Sequence, residues 1–350
     1  MEYLKVFETE AQYDAYAKSD EYKTPNVSLV AGETVKYNIH DYSKDYFTVK
    51  ALGSGTIVWH RKSVEVPSYR INGGEWTSNP QASSYNIPVN ENDEVEFSFN
   101  PSSDSSLFYQ FLSVNTDYEV YGNIFSLMYG DDFSGKTTFE KNIIFRCMFY
   151  NDTHLVSAEN LILPATTVIA SAYTAMFWSS SKLEKAPVLP ATNLAAGCYS
   201  EMFRGCPSLT TAPELPATTL APYCYFWMFG YCFSLTTAPE LPATTLAPYC
   251  YYMMFQNCVG LTEVPELSAT ILSQNCYRQM FQDCSNLSYI KCLATGTDTQ
   301  GMPVTACTDT WIQGVSETGT FVKNAQMQDW PQEYGNHSGI PYGWTVQDAS

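Results

Sequence analysis

The sequence predicts an α+β protein dominated by a solenoid of 26-residue units, with a β-sandwich and a small module ahead of it. A unit beginning Leu-Pro-Ala-Thr starts at Leu163, Leu189, Leu215 and Leu241 and, as Leu-Ser-Ala-Thr, at Leu267, with no gap. Side-chain identities recur at this same period, in columns. Upstream, apolar and polar residues alternate with period two. A fixed period of this length belongs to units too small to bury their own apolar face, which bury it by stacking on their neighbours.

Within a unit the columns define the core. Leu183 to Leu287, Met176 to Met280, Phe177 to Phe281 and Tyr173 to Tyr277 each recur every 26 residues. The cysteines follow: Cys198, Cys224, Cys250 and Cys276 form one column, and Cys206, Cys232, Cys258 and Cys284 another. Read as a helix at about 100° per residue, Cys198, Tyr199, Met202, Phe203 and Cys206 share one arc of roughly 140°, the core-facing side. Free cysteine packs as a small apolar residue, so buried ladder thiols are expected. Rung-to-rung disulfides are the sharper alternative. Zinc needs clustered pairs such as C-x₂-C, which are absent, and no metal or cofactor is expected. Pro187, Pro213, Pro239 and Pro265 cannot donate to a ladder. The strand is therefore confined to two or three residues near Leu-Thr-Thr, followed by a turn at Pro-Ala-Thr and one or two helical turns.

The pattern C-Y-x-x-M-F-x-x-C-x-x-L-x-x-A-P-x-L-P-A-T-T-L resembles the BspA-like leucine-rich repeat family, found in surface proteins of anaerobic gut bacteria and in proteins of their phages. The resemblance covers about residues 140 to 350, with the lead-in at Tyr129-Gly130-Asp131 and Ala158-Glu159-Asn160-Leu161 and the trailer Gly319 to Asn324 and Gly343 to Val346. It implies a leucine-rich-repeat solenoid and an adhesive or recognition protein without a shared catalytic residue.

Five segments follow. Residues 1–45 read as an amino-terminal attachment-like module, with a capping box at Thr9-Glu10-Ala11-Gln12 and a strand pair at residues 25–30 and 32–37. Residues 46–125 read as a β-sandwich, alternating through Thr56 to Trp59, Tyr69 to Ile71 and Val95 to Phe99, with Asn72-Gly73-Gly74 as a hairpin turn. The Y-x-x-N-G-G-x-W-T pattern there also accompanies these repeats in the resembling family. Residues 126–162 lead into the solenoid, 163–292 hold the five repeats, and 293–350 cap the last one.

Charge narrows the partners. Formal charge is −18, yet the repeats carry 5 Lys and Arg against 7 Asp and Glu. A nearly neutral repeat face disfavours nucleic acid and anionic membranes, and no stretch reads as a membrane span. The start lacks a basic region and an apolar core of a secretory signal, which fits assembly in the cytoplasm or a trimmed signal. His40, His60, His154 and His337 are scattered, and no catalytic motif is present. The acidic turns Asp131-Asp132 and Asn90 to Glu94 hold calcium-type oxygen donors without an EF-hand pattern.

One face varies informatively. Outward positions are Ser200, Glu201 and Arg204 in the second unit and Arg278, Gln279, Gln282 and Asp283 in the fifth. In the third they are Phe226, Trp227 and Tyr231, and in the fourth Tyr252 and Met253, with Tyr223 and Tyr249 just ahead and Trp178 in the first. Exposed aromatic patches mark interfaces or sugar-binding surfaces. The function expected is non-catalytic recognition, in a phage virion appendage that contacts a host-surface receptor (protein or glycan) or other virion subunits, with a homo-oligomer as a further option. A bacterial surface adhesin is the alternative.

Overall fold

The computed structural model describes residues 4–7, 35–38, 41–60, 67–78, 84–100, 112–140, 145–295, 304–327, 330, 332–333 and 338–349. Among them the protein is mostly β, with very few helical turns and no closed barrel. The strands in chain order are β1 (Leu4–Phe7), β2 (Val35–Asn38), β3 (Phe47–Ala51), β4 (Gly55–His60), β5 (Ser68–Ile71), β6 (Ser84–Val89), β7 (Glu94–Ser98), β8 (Leu112–Val114), β9 (Tyr118–Asn123), β10 (Leu155–Ile162), β11 (Tyr289–Cys292), β12 (Thr320–Lys323), β13 (Gln332–Glu333), β14 (Ile340–Pro341) and β15 (Thr345–Asp348). Strand β2 pairs antiparallel with β1. The strand expected at residues 25–30 and the capping box at Thr9 lie outside the described residues.

Period-two alternation builds two facing sheets, ordered β10-β9-β3-β7-β5 and β6-β4-β8. Along β7, Val95 and Phe97 are buried while Glu94 and Glu96 face out. Trp59 of β4 meets Phe97 across the interface, ring centroids 4.8 Å apart. The Asn72-Gly73 turn adopts left-handed φ of 50° and 68°, which Asn and Gly tolerate, and pairs Tyr69 with Thr77. Strand β10 then runs parallel to β9 and extends the same sheet toward the repeats, where the Ala158 amide donates to the Lys185 carbonyl at 3.0 Å. A single apolar core runs from Phe47 to Trp344.

The repeat region departs from the sequence reading in one respect. The segment Cys198–Cys206 is not helical; it is a run of overlapping turns. Amides of Cys198, Ser200, Met202, Arg204 and Cys206 donate three residues back, to Ala195, Gly197, Tyr199, Glu201 and Phe203. The intervening amides leave the unit. Gly197, Tyr199, Glu201, Phe203 and Gly205 donate to the carbonyls of Pro222, Cys224, Phe226, Met228 and Gly230, each 25 residues onward, at 2.7 to 3.1 Å. Every fourth residue has positive φ, as at Gly197, Glu201 and Gly205, then Tyr223, Trp227 and Tyr231, then Tyr249, Met253 and Asn257. The side chains therefore run two in, two out. A period of four and a helical period of 3.6 are indistinguishable over nine residues, which is why the apolar spacing reads as a helix and the α part of the expectation gives way.

Stacking at the 26-residue step aligns like with like. Phe177, Phe203, Phe229 and Phe255 are fully buried and stack at 5.4 to 5.7 Å with planes within 8°. Tyr173, Tyr199, Tyr225 and Tyr251 form a second column at 5.6 to 6.1 Å. Short strand pairing survives as single bridges at Thr211 with Thr237, near Leu-Thr-Thr, and at Thr219 with Thr245, where a turn alone is expected. The stack also extends past the five repeats. The amides of Phe145, Phe149 and Asn151 join it ahead of the first repeat. Cys307, Asp309, Trp311 and Gln313 supply carbonyls after the fifth, and the Trp311 ring closes both columns, 6.2 Å from Tyr277 and 5.9 Å from Phe281. Strands β11, β12 and β15 pair in parallel beyond it.

The two cysteine columns differ chemically. All eight thiols are buried and form no disulfide. Cys206, Cys232, Cys258 and Cys284 donate through Sγ to the carbonyls of Phe177, Phe203, Phe229 and Phe255 at 2.9 to 3.1 Å. Ser180 holds the same place one unit earlier and donates to Phe149 at 2.7 Å. The other column begins with Ala172, and its thiols lie against backbone groups of their own turn, Ala195 and Tyr199 for Cys198 and Ala221 and Tyr225 for Cys224. Cys232→Ser should therefore be nearly neutral, because the hydroxyl inherits a carbonyl. Cys224→Ser should cost more, about 1–3 kcal/mol for burying a hydroxyl where the thiol donates to no carbonyl of the preceding unit, and denaturant titration of the pair checks the order.

Burial raises these thiols; Cys198, Cys232, Cys250 and Cys284 are each pushed from 9.0 up to about 12. An unfolded chain sheds such protons from near pH 9, while the folded chain holds them. Their contribution to stability is full below pH 9 and lost as pH rises from 9 toward about 12. Chemical denaturation at a series of pH values should show the midpoint falling across that window.

Candidate functional site

The outward positions of the middle rungs coincide with the left-handed backbone positions. Tyr223, Trp227, Tyr231, Tyr249 and Met253 have φ of 57°, 52°, 64°, 58° and 58°. At the places of Tyr223, Tyr249 and Tyr231 other units hold residues that accept this conformation more easily, Gly197, Asn275, Gly205, Asn257 and Asp283, whereas the column of Trp227 and Met253 holds Ala175, Glu201 and Gln279 elsewhere. A bulky L-residue there costs about 1 kcal/mol. The third and fourth units thus hold rings where glycine or asparagine would be less strained.

These rings form one connected stripe. Tyr223 stacks on Tyr249 at 4.7 Å with planes 5° apart. Phe226 bridges Tyr223, Trp227 and Tyr252 at 6.0, 6.0 and 5.3 Å, and Trp227 leads on to Tyr231 at 6.3 Å. Exposure is uneven: Tyr223 is 43% exposed and Tyr231 36%, while Phe226, Trp227, Tyr249, Tyr252 and Met253 are half-buried. Trp178 is also half-buried and contacts Tyr150 edge-on at 5.1 Å.

Two features of the stripe escape sequence reasoning. Phe233, 46% exposed, extends it beside Tyr231 at 6.2 Å. Arg204, read as one of the charges that set the ends apart from the middle, instead lies between two indoles. Its guanidinium is 3.3 Å from the Trp227 ring centroid and 4.5 Å from that of Trp178, and Glu201 pairs with it at 2.7 Å. Such a sandwiched cation contributes about 0.5–2 kcal/mol. Arg278 likewise lies over Tyr252 at 5.6 Å. The signal that could have found this is Gly230. It stands in the column of Trp178 and Arg204, and a Cβ on it would lie 2.2 Å from Trp227 Cδ1, so the missing side chain marks the space the indole fills. Below it the column continues as an amide ladder, Gln256 Nε2 donating to Gln282 Oε1 at 2.7 Å and Gln282 Nε2 to Gln313 Oε1 at 3.1 Å.

Several titratable groups elsewhere are engaged structurally. His154 Nδ1 contacts Asp117 Oδ1 at 3.1 Å, and Lys182 donates to both oxygens of that carboxylate, holding Asp117 below its usual range. Asp93 accepts from the Asn90 amide and from Asn72, and Asp131 accepts the Tyr46 hydroxyl at 2.9 Å. Among the described residues no cluster of three or more His, Cys, Asp or Glu could hold a metal ion, and no helix is long and apolar enough to cross a membrane. No protein-family model, curated protein or solved structure matches this chain.

Gly230→Ala should drive Trp227 out of its seat and destabilise the protein by about 1–3 kcal/mol, the cost of overpacking. In a Trp227→Ala background the same change should cost close to nothing. Thermal melts of the four proteins in this cycle measure the coupling.

Proposed function

We propose that the chain is a non-catalytic recognition protein whose repeats form a leucine-rich-repeat solenoid, and that it serves as a phage virion appendage. The observation that carries the reading is the aromatic stripe at strained positions: Tyr223, Trp227, Tyr231 and Tyr249 each hold a ring on left-handed backbone. Strain retained against a less strained alternative points to a role outside folding. Partly exposed rings, steadied by Arg204 and Arg278, match the aromatic and arginine anchors that dominate binding energy at interfaces. The partner is a host-surface receptor or a neighbouring virion subunit.

Two further features support this reading. Eight buried, unpaired thiols fit assembly in a reducing compartment. The resemblance of the C-Y-x-x-M-F-x-x-C repeat to the BspA-like family points to recognition without a common catalytic residue.

Trp227→Ala combined with Tyr252→Ala should weaken host-cell adsorption or subunit assembly by about tenfold or more while leaving the far-ultraviolet spectrum intact. Adsorption and particle mass are measured on the same preparation. Loss of adsorption alone identifies the receptor version and loss of mass alone the subunit version; unchanged values for both contradict the proposal.

A further inference from the structure

A second surface, separate from the aromatic stripe, lies on the outer face of the five-stranded sheet. It is a groove of 780 Å³ that reaches from β5 across to Glu184 and Lys185 of the first repeat. Strand register lays its floor out in two rows. Arg70, Glu96, Thr48, Tyr121 and Asn160 stand opposite one another across the five strands, and Glu94, Lys50, Glu119 and Ser157 form the adjoining row. Alternation produces this face: Val49, Val95, Phe97 and Tyr118 turn into the core, and their chain neighbours turn out.

Opposite charges alternate along the rows. Arg70 grips Glu96 with two bonds of 2.7 Å, Lys185 meets Glu159 at 2.7 Å, and Lys50 has Glu94 and Glu119 as its register partners on either side. Donors and acceptors therefore alternate at about the 4.8 Å strand spacing. Burial and a hydrogen bond to Glu94 push the Tyr121 phenol up, so it stays protonated as a donor. At the β5 end Trp76 is 36% exposed, with the Arg70 guanidinium 4.7 Å from its ring centroid and Tyr46 5.0 Å away edge-on.

We infer that this groove binds a neutral glycan segment of about two or three sugar rings, a size suited to a pocket within the usual 300–1,000 Å³ range. A sugar hydroxyl donates and accepts at once, which is what alternating carboxylates and cations offer. Trp76, next to Arg70 just outside the lining, offers an apolar face to a ring that projects past the β5 end. Six carboxylates against three cations in the lining repel an anionic ligand. A basic peptide would bring its cations against Lys50 and Arg70, which occupy the centre and one end of the floor.

Native electrophoresis through gels cast with a soluble β-glucan, mannan or xylan tests the groove. At least one polymer should retard the full chain at both low and high salt. Glu119→Gln and, independently, Lys50→Met should each weaken retardation about tenfold, equivalent to about 1.4 kcal/mol, while Glu240→Gln on a distant repeat should not. Circular dichroism confirms folding, and either groove variant decides if the other misfolds. The inference is overturned if no polymer retards the protein, if both folded groove variants are retarded like the parent, or if only an oligolysine peptide binds and salt abolishes it. This readout is independent of adsorption and particle mass, so it can fail without touching the proposal for the stripe.

Discussion

Half of the amides in each turn run have no acceptor within their own unit. Tyr199, Glu201 and Phe203 donate to Cys224, Phe226 and Met228 in the next unit, and a buried amide without an acceptor costs about 1–3 kcal/mol. No unit can satisfy itself. The demand fixes the register between neighbours: within the repeats each donor meets the carbonyl 25 residues onward, and the flanking steps reach the same register over 27 residues, as from Phe149 to Met176, and 30, as from Phe281 to Trp311. The columns follow from it: once donors and acceptors are in register, Phe203 must stack on Phe229, and Cys232 must reach the carbonyl of Phe203.

Energetically the arrangement sets strain against burial. Tyr223, Trp227 and Tyr231 in one unit are left-handed, at about 1 kcal/mol each. The same unit buries Cys224, Tyr225, Met228, Phe229, Cys232 and Leu235, and a large apolar side chain contributes about 1.5–3 kcal/mol. Burial wins, with enough margin to keep rings at positions that Gly197 and Gly205 occupy with less strain one unit earlier. The ends meet the same demand differently. Strand β10 joins the first unit to the sandwich sheet, and Trp311 covers Tyr277 and Phe281 after the last repeat.

What the sequence makes legible follows from the range of each contact. Columns are legible because stacking repeats one environment every 26 residues, so Leu209, Met202 and Cys198 carry the same identity as their counterparts. The turn run is misread because two-in, two-out burial mimics a helix; the corrective signal is the recurrence of Gly, Asn or Asp at the outward places, as at Gly197, Gly205, Asn257 and Asp283. The stripe is legible in its rings but not in Arg204, whose seat between Trp178 and Trp227 depends on the missing side chain of Gly230. The groove is not legible at all. Its floor takes one or two outward residues from each of five strands, and only the pairing of Thr48 with Glu96 and Tyr121 brings them together.

The inter-unit amide ladder is tested most directly by scalar coupling through hydrogen bonds in solution. The amide nitrogens of Tyr199, Glu201 and Phe203 should couple to the carbonyl carbons of Cys224, Phe226 and Met228, while those of Ser200 and Met202 couple to carbonyls three residues back. Coupling of all five amides to carbonyls four residues back, the pattern of a helix, would contradict the account.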